Sequence, residues 1–192
     1  MRSWLGSFIW RLHQCDVALS YRLALRTDED KRRPLPYWIA LFCAHLGDSW
    51  LWVIIAGFCF KRAYVDRNKD EGRRVNQLAT WVVSVISATI ITLLVKRQVR
   101  RTRPGKGTLL YGSGPDVHSF PSGHAVRLAT IAMWGEILVP GRGWLAWPLL
   151  LIVGWSRVAL GIHYVGDVVA GVVLGSVVGI FFRWMGQGRM TG

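Results

Sequence analysis

Residues 78–96 read LATWVVSVISATIITLLVK, an apolar run that carries no charge until Lys96 ends it. A bilayer crossing needs about 20 mostly apolar residues in helical conformation. This run therefore reads as a membrane-spanning helix, and the rest of the chain can be read outward from it. Four further stretches have the same character: 37–60, with His45 and Asp48 inside it; 125–139, short, with Arg127 and Glu136; 144–160, apolar until Arg157; and 164–185, Gly-rich, with Asp167 near its start. A break at Gly47-Asp48 divides the first of them. The expected fold is all-α: an integral membrane helical bundle of five to six transmembrane helices with an N-terminal interfacial helix.

Composition agrees. A chain of 192 residues is one domain's length, and 52% hydrophobic against 18% charged residues excludes a disordered or ordinary soluble protein. Eleven Trp fit a chain with two membrane interfaces. The excess of 24 Lys+Arg over 11 Asp+Glu would suggest nucleic acid on a soluble protein. Here the basic residues flank apolar spans, so anionic headgroups or a phosphate site are expected and no nucleic acid. Cys15, Cys43 and Cys59 are odd in number and lack a C-x-x-C pair, so neither a disulfide framework nor a zinc site is expected. No signal-peptide pattern is expected either. The first residues alternate apolar (Trp4, Leu5, Phe8, Ile9, Leu12) with basic ones (Arg2, Arg11, Arg22), which reads as an interfacial helix. The domain division expected is 1–34 for that segment and 35–192 for the membrane domain.

Following the chain through its spans brings distant residues to one membrane face. Lys96 closes the second span, Pro121-Ser122-Gly123-His124 opens the third, Ser156-Arg157 closes the fourth, and His163 and Asp167 begin the fifth. Ionisable residues at such positions are costly and mark function. Taken singly, a Lys at a span end snorkels to the interface and a His at a helix start is structural; their joint placement points to a site. Lys96 and Arg103 are seven apart, two helical turns if the helix continues, and Arg157 adds a third cation. Such a cage suits a phosphate or diphosphate. The Pro-Ser-Gly-His helix start offers free N–H groups, the Ser122 hydroxyl, and close backbone approach at Gly123. His163 and Asp167, four apart, form a nucleophile with an orienting carboxylate. His124 is then a proton donor for the leaving oxygen. No metal and no cofactor is called for.

Lys96-x6-Arg103-Pro104, Pro121-Ser122-Gly123-His124 and Ser156-Arg157-x5-His163-x3-Asp167, in that order, resemble the three-part signature of the type 2 phosphatidic acid phosphatase (PAP2) superfamily. The resemblance covers roughly residues 35–185 and is closest in size to its short bacterial members. It implies a membrane-embedded helical fold and metal-independent hydrolysis of lipid phosphates. It implies that Lys96, Arg103, Ser122, Gly123 and Arg157 hold phosphate, that His163 attacks, that Asp167 orients it, and that His124 protonates the leaving group. The expected substrate is a lipid phosphate such as undecaprenyl diphosphate, phosphatidylglycerol phosphate or phosphatidic acid. The competing readings are a phosphotransferase passing the phosphoryl group to another lipid, and a non-enzymatic anion-binding membrane protein.

Residues beyond the signature carry further expectations. Arg127, one turn after His124, reads either as a structural or snorkelling Arg or as a holder of a second phosphate or headgroup, and Arg100, at i+4 from Lys96, either widens the positive field or contacts the same headgroup or second phosphate. Arg97, Arg101 and Lys106 read as lipid-facing charge. His45 and Asp48 pair with each other or line the helix break, with no catalytic role. Gly171, Gly175 and Gly179 are spaced by four and let another helix approach closely, either within the chain or across a homodimer. The basic count alone favours placing the site face inside. The resemblance implies the opposite, and the expectation adopted is a multi-pass plasma (inner) membrane protein with its site on the outer, periplasmic face.

Overall fold

The computed structural model describes residues 2–25, 35–65, 71–104 and 117–188. Lys106, Asn68 and the proposed domain boundary at residue 34 lie outside the described residues. Every regular element among those described is helical: α1 (Arg2–Leu23), α2 (Leu35–His45), α3 (Ser49–Val65), α4 (Glu71–Val99), α5 (Gly123–Leu138), a short 3-10 turn (Gly143–Leu145), α6 (Ala146–Ala159) and α7 (Val165–Gly188).

Two helices are long and apolar enough to cross a membrane, Gly72–Val99 and Val165–Gly186. The expected span 37–60 is a bent pair, α2 and α3, meeting at 46° across Gly47-Asp48, and counts as a third if taken as one crossing. The stretches 125–139 and 144–160 form the shorter helices α5 and α6, below the length of those spans.

The bundle is organised around α5, which packs against α4, α6 and α7. Its side chains from Ala125 to Ala132 are nearly all buried, including Val126, Leu128 and Ile131. Trp81 of α4 and Trp134 of α5 fill the interior with Leu150 and Val153 of α6. The outer faces are the reverse of a soluble protein's. Val83, Ile86, Ile90 and Leu94 on α4, and Val169, Val173, Val177 and Ile180 on α7, are exposed stripes at helical spacing. In water such continuous apolar faces would drive association; in hydrocarbon they meet their own kind. Hydroxyls inside the helices are satisfied locally: Thr89 and Thr92 donate to the carbonyls of Val85 and Ala88, at 2.9 and 2.7 Å, as a membrane interior requires.

The glycine stripe on α7 is spent within the chain. A Cβ at Gly175 would run into the Val126 carbonyl, and one at Gly171 would lie 2.8 Å from the Ser122 carbonyl. Gly179 meets Met133 and the Thr130 carbonyl in the same way. Of the two readings of Gly171, Gly175 and Gly179, packing within the chain is the one these contacts show: α5 covers the stripe. Lipid tails are as apolar as the helices, so association rests on close van der Waals contact. Contact this close also lets the Thr130 hydroxyl donate across to the Gly175 carbonyl at 3.0 Å.

Candidate active site

Helix α4 ends at Val99. Arg100 takes φ +50° and its N–H closes on the Lys96 carbonyl at 3.0 Å, so the chain leaves the helix there. Arg103 thus does not lie two helical turns beyond Lys96, and that part of the expectation is corrected. It lies in the segment without regular structure that follows α4 and donates to the carbonyls of Val117 and Ile162, both at 3.3 Å. Lys96 is buried and its Nζ donates to the His118 carbonyl at 2.7 Å. The residue expected to widen the field, Arg100, is exposed and turns back to the Arg97 carbonyl at 3.0 Å.

Ser122 is the N-cap of α5 but makes no side-chain cap bond. Its Oγ is fully buried and has no hydrogen-bond partner among the described residues. A hydroxyl hidden from water and left unpaired is destabilising by itself, so its burial fits an oxygen ligand. The Ser122 N–H donates to the Asp167 carbonyl at 3.0 Å, which ties the start of α5 to the start of α7. Arg157, in the last turn of α6, is completely buried.

His163 sits in the turn between α6 and α7, not on a helix face, with its N–H on the Arg157 carbonyl at 3.2 Å. Asp167 is in the first turn of α7. Its Oδ2 accepts the Tyr164 N–H at 2.9 Å and faces His163 Nδ1 at 3.6 Å. Asp167 thus caps the helix by reaching back to Tyr164, the residue just before it, while it stands behind the imidazole. With Nδ1 toward Asp167, Nε2 is the ring nitrogen turned away from the carboxylate. Burial holds His163 well below the ordinary imidazole range, at about 3; Asp167 pulls the other way, and Arg157, Lys96 and Arg103 add to the depression. The imidazole is held neutral among cations.

Three residues make contacts that the sequence does not show. Arg101, read as lipid-facing, turns inward. Its Nη1 donates to Asp167 Oδ1 and its Nη2 to Asp16 Oδ2, each at 2.7 Å, and its guanidinium lies 3.9 Å over the Tyr164 ring. Burial opposes the charge on Arg101, and the two carboxylates outweigh it, raising its pKa. Asp16 also accepts the Gly166 N–H at 2.7 Å, and Ser20 Oγ accepts that of Val165 at 2.9 Å, so α1 is docked on the first turn of α7. Arg127, half-buried, donates to the Gly47 carbonyl at 2.6 Å and so pins the α2–α3 break. Asp48, given no role from sequence, reaches His124: Oδ1 lies 3.0 Å from Nε2, while Oδ2 holds His45 Nδ1 at 2.8 Å. An acidic residue inside an apolar run was the available signal for it.

The arrangement gathers cations, a buried hydroxyl and two carboxylate-backed imidazoles at one end of the bundle. Residues 77–191 match the PAP2 superfamily. Decaprenylphosphoryl-5-phosphoribose phosphatase of Mycobacterium tuberculosis is 37% identical over 57% of this chain and 63% of its own length. The chain thus spans less than two thirds of that relative. An undecaprenyl-diphosphatase of Sulfolobus acidocaldarius is 29% identical over 72% of this chain and 65% of its own. Among solved structures, the transmembrane PAP2 type phosphatidylglycerolphosphate phosphatase of Bacillus subtilis superposes with a TM-score of 0.72 at 22% identity, over 93% of this chain and 87% of that one. With well over half its length matched and the membrane fold shared, the chain belongs to the PAP2 superfamily.

Proposed function

We propose that this protein is an integral membrane lipid phosphatase that hydrolyses a phosphomonoester or diphosphate on a lipid through a phosphohistidine. The observation that carries the reading is the buried, neutral His163, backed by Asp167 and surrounded by Lys96, Arg103 and Arg157. Lys96, Arg103, Ser122, Gly123 and Arg157 hold the phosphate. His163 Nε2 attacks phosphorus; the N–P bond forms as the P–O bond to the lipid breaks. The electron pair stays on the lipid oxygen, which takes a proton from His124; burial, Arg157 and Arg127 depress that imidazole to about 4, Asp48 opposes them, and the negative charge of the bound phosphate stabilises the proton further. The Nδ1 proton of His163 remains against Asp167, whose charge balances the phosphoimidazolium. Water then attacks phosphorus, gives a proton back to His124, and releases phosphate and His163.

Both relatives named above carry polyprenyl phosphates in their names, which supports a long-chain lipid phosphate as substrate. The exposed apolar stripes support delivery from the bilayer. The corresponding topology has five spans, with the α2–α3 break in the first, residues 1–34 as an interfacial segment, and 35–192 as the phosphatase domain. It lies in the plasma (inner) membrane with the site on the outer face. Labelling of a cysteine placed at Asn68 from outside intact cells would overturn that orientation.

The test is phosphate release by the detergent-purified protein in EDTA. Undecaprenyl diphosphate, phosphatidylglycerol phosphate and phosphatidic acid are compared, with His163→Ala as control. Release by wild type alone supports the reading. A newly phosphorylated lipid in place of inorganic phosphate indicates transfer, and no product from any lipid overturns the reading.

A further inference from the structure

The α2–α3 break is a built feature. The N–H groups of Leu46, Gly47 and Asp48 close on the carbonyls of Cys43, Ala44 and His45, at 3.2, 3.2 and 3.0 Å. The Leu46 carbonyl accepts from Trp52 Nε1 at 3.0 Å and the Gly47 carbonyl from Arg127 at 2.6 Å. A Cβ at Gly47 would run into the His124 ring, so only glycine lets the turn come this close. The result is the Asp48 carboxylate 3.0 Å from His124 Nε2, with its other oxygen fixed by His45. Asp48 is 76 residues from His124 in sequence, and Arg127 draws the break toward the same helix that carries His124.

We propose that Asp48 is the positioning residue for His124. It holds the imidazole by Nε2, fixes the ring's orientation and stabilises the protonated form. The proton that His124 delivers then leaves from Nδ1 to the lipid oxygen as the P–O bond breaks, and the water of the second step restores it. The site would contain two matched pairs, Asp167 behind the nucleophile His163 and Asp48 behind the acid His124. The inference rests on the reading of His124 as proton donor.

A positioning carboxylate and a structural one differ in their dependence on the leaving group. An alkoxide needs a proton as it departs; a nitrophenolate does not. General acid assistance is worth about 100- to 10,000-fold, so weakening it should cost about tenfold or more on phosphatidic acid. It should change kcat/KM for nitrophenyl phosphate, which ends at leaving-group departure and excludes the shared water step, by less than about twofold. Asp48→Asn, Asp48→Glu and His124→Gln are compared with wild type on both substrates, with thermal unfolding in detergent recorded for each. The expected result is that split for Asp48→Asn and His124→Gln, with partial recovery in Asp48→Glu. Equal loss on both substrates, or no loss on either, overturns the inference while leaving the phosphatase reading intact. No phosphate release by wild type overturns both. Nitrogen NMR of labelled histidine provides a readout independent of turnover. Asp48→Asn should shift the His124 ring signal and leave that of His163 in place, and an unmoved His124 signal overturns the inference.

Discussion

Arg101 donates to Asp167 through a 2.7 Å bond from Nη1 to Oδ1, so the carboxylate behind His163 is itself held from behind. The other oxygen of Asp167 is taken by the Tyr164 N–H and faces His163. The two carboxylate oxygens therefore have separate tasks, and the guanidinium fixes which is which. Because the same guanidinium binds Asp16 of α1 at 2.7 Å, the N-terminal helix is two ion pairs from Asp167 and three contacts from His163.

Arg101→Ala removes a charge-assisted bond of about 1.5–3 kcal/mol, which corresponds to a loss of roughly ten- to a hundredfold in kcat/KM. Asp16→Asn should lose less, because its amide oxygen still accepts the Gly166 N–H. The two act through one guanidinium, so the double variant should be no worse than Arg101→Ala alone. Losses that simply multiply in the steady-state assay would show that α1 is not coupled to Asp167 through Arg101.

Ser122→Ala separates stability from activity. The Ser122 Oγ is buried without a hydrogen-bond partner among the described residues, so its removal leaves the fold equal or better. A hydroxyl that donates to phosphate contributes about 1 kcal/mol, so kcat/KM should fall about fivefold. A lowered melting temperature with unchanged kcat/KM would reverse this assignment.

Much of this arrangement was legible in the sequence, and the missing parts share a cause. The apolar run 78–95 announces α4, and the three motif segments converge as their spacing implies. The helix end at Val99 was hidden, because Arg100 adopts a left-handed φ of 50° without the glycine that usually marks such an end. Projecting a helix face from Lys96 to Arg103 failed for that reason. Lys96, Arg97, Arg100, Arg101, Arg103 and Lys106 look alike in sequence; what singles out Arg101 is Asp16, 85 residues away. Asp48 was passed over because its pairing with the nearby His45 was visible, whereas the contact to His124 depends on how α2 and α3 bend.

The α5–α7 contact gives a direct test of packing. Gly175→Val places a side chain against the Val126 carbonyl, whereas Gly57→Ala on α3 has no atom within 4 Å of the new Cβ. Overpacking typically costs about 1–3 kcal/mol, more where backbone is struck. Gly175→Val should lower the melting temperature in detergent and reduce activity with it, because α7 carries Asp167 at its start. Gly57→Ala should leave both unchanged. A Gly175→Val protein that melts like wild type would remove the close contact from the account of the fold.

The histidine nucleophile sets a pH dependence whose sign follows from burial. His163 is held at about 3 against an ordinary value of 6.5. Between those values the unfolded chain binds a proton at this position that the native protein does not. Stability contributed by His163 therefore rises with pH across the window and is lost on acidification. The melting temperature of wild type should fall as pH drops below about 6.5, and His163→Gln should flatten that fall. In kcat/KM the neutral imidazole persists far below the usual range, so the acid limb belonging to the nucleophile should lie well under pH 6.5. An acid limb centred at the ordinary histidine value, together with an unchanged melting slope in His163→Gln, would show that the ring is solvated and protonated like a surface histidine. The cation cage around it would then oppose catalysis.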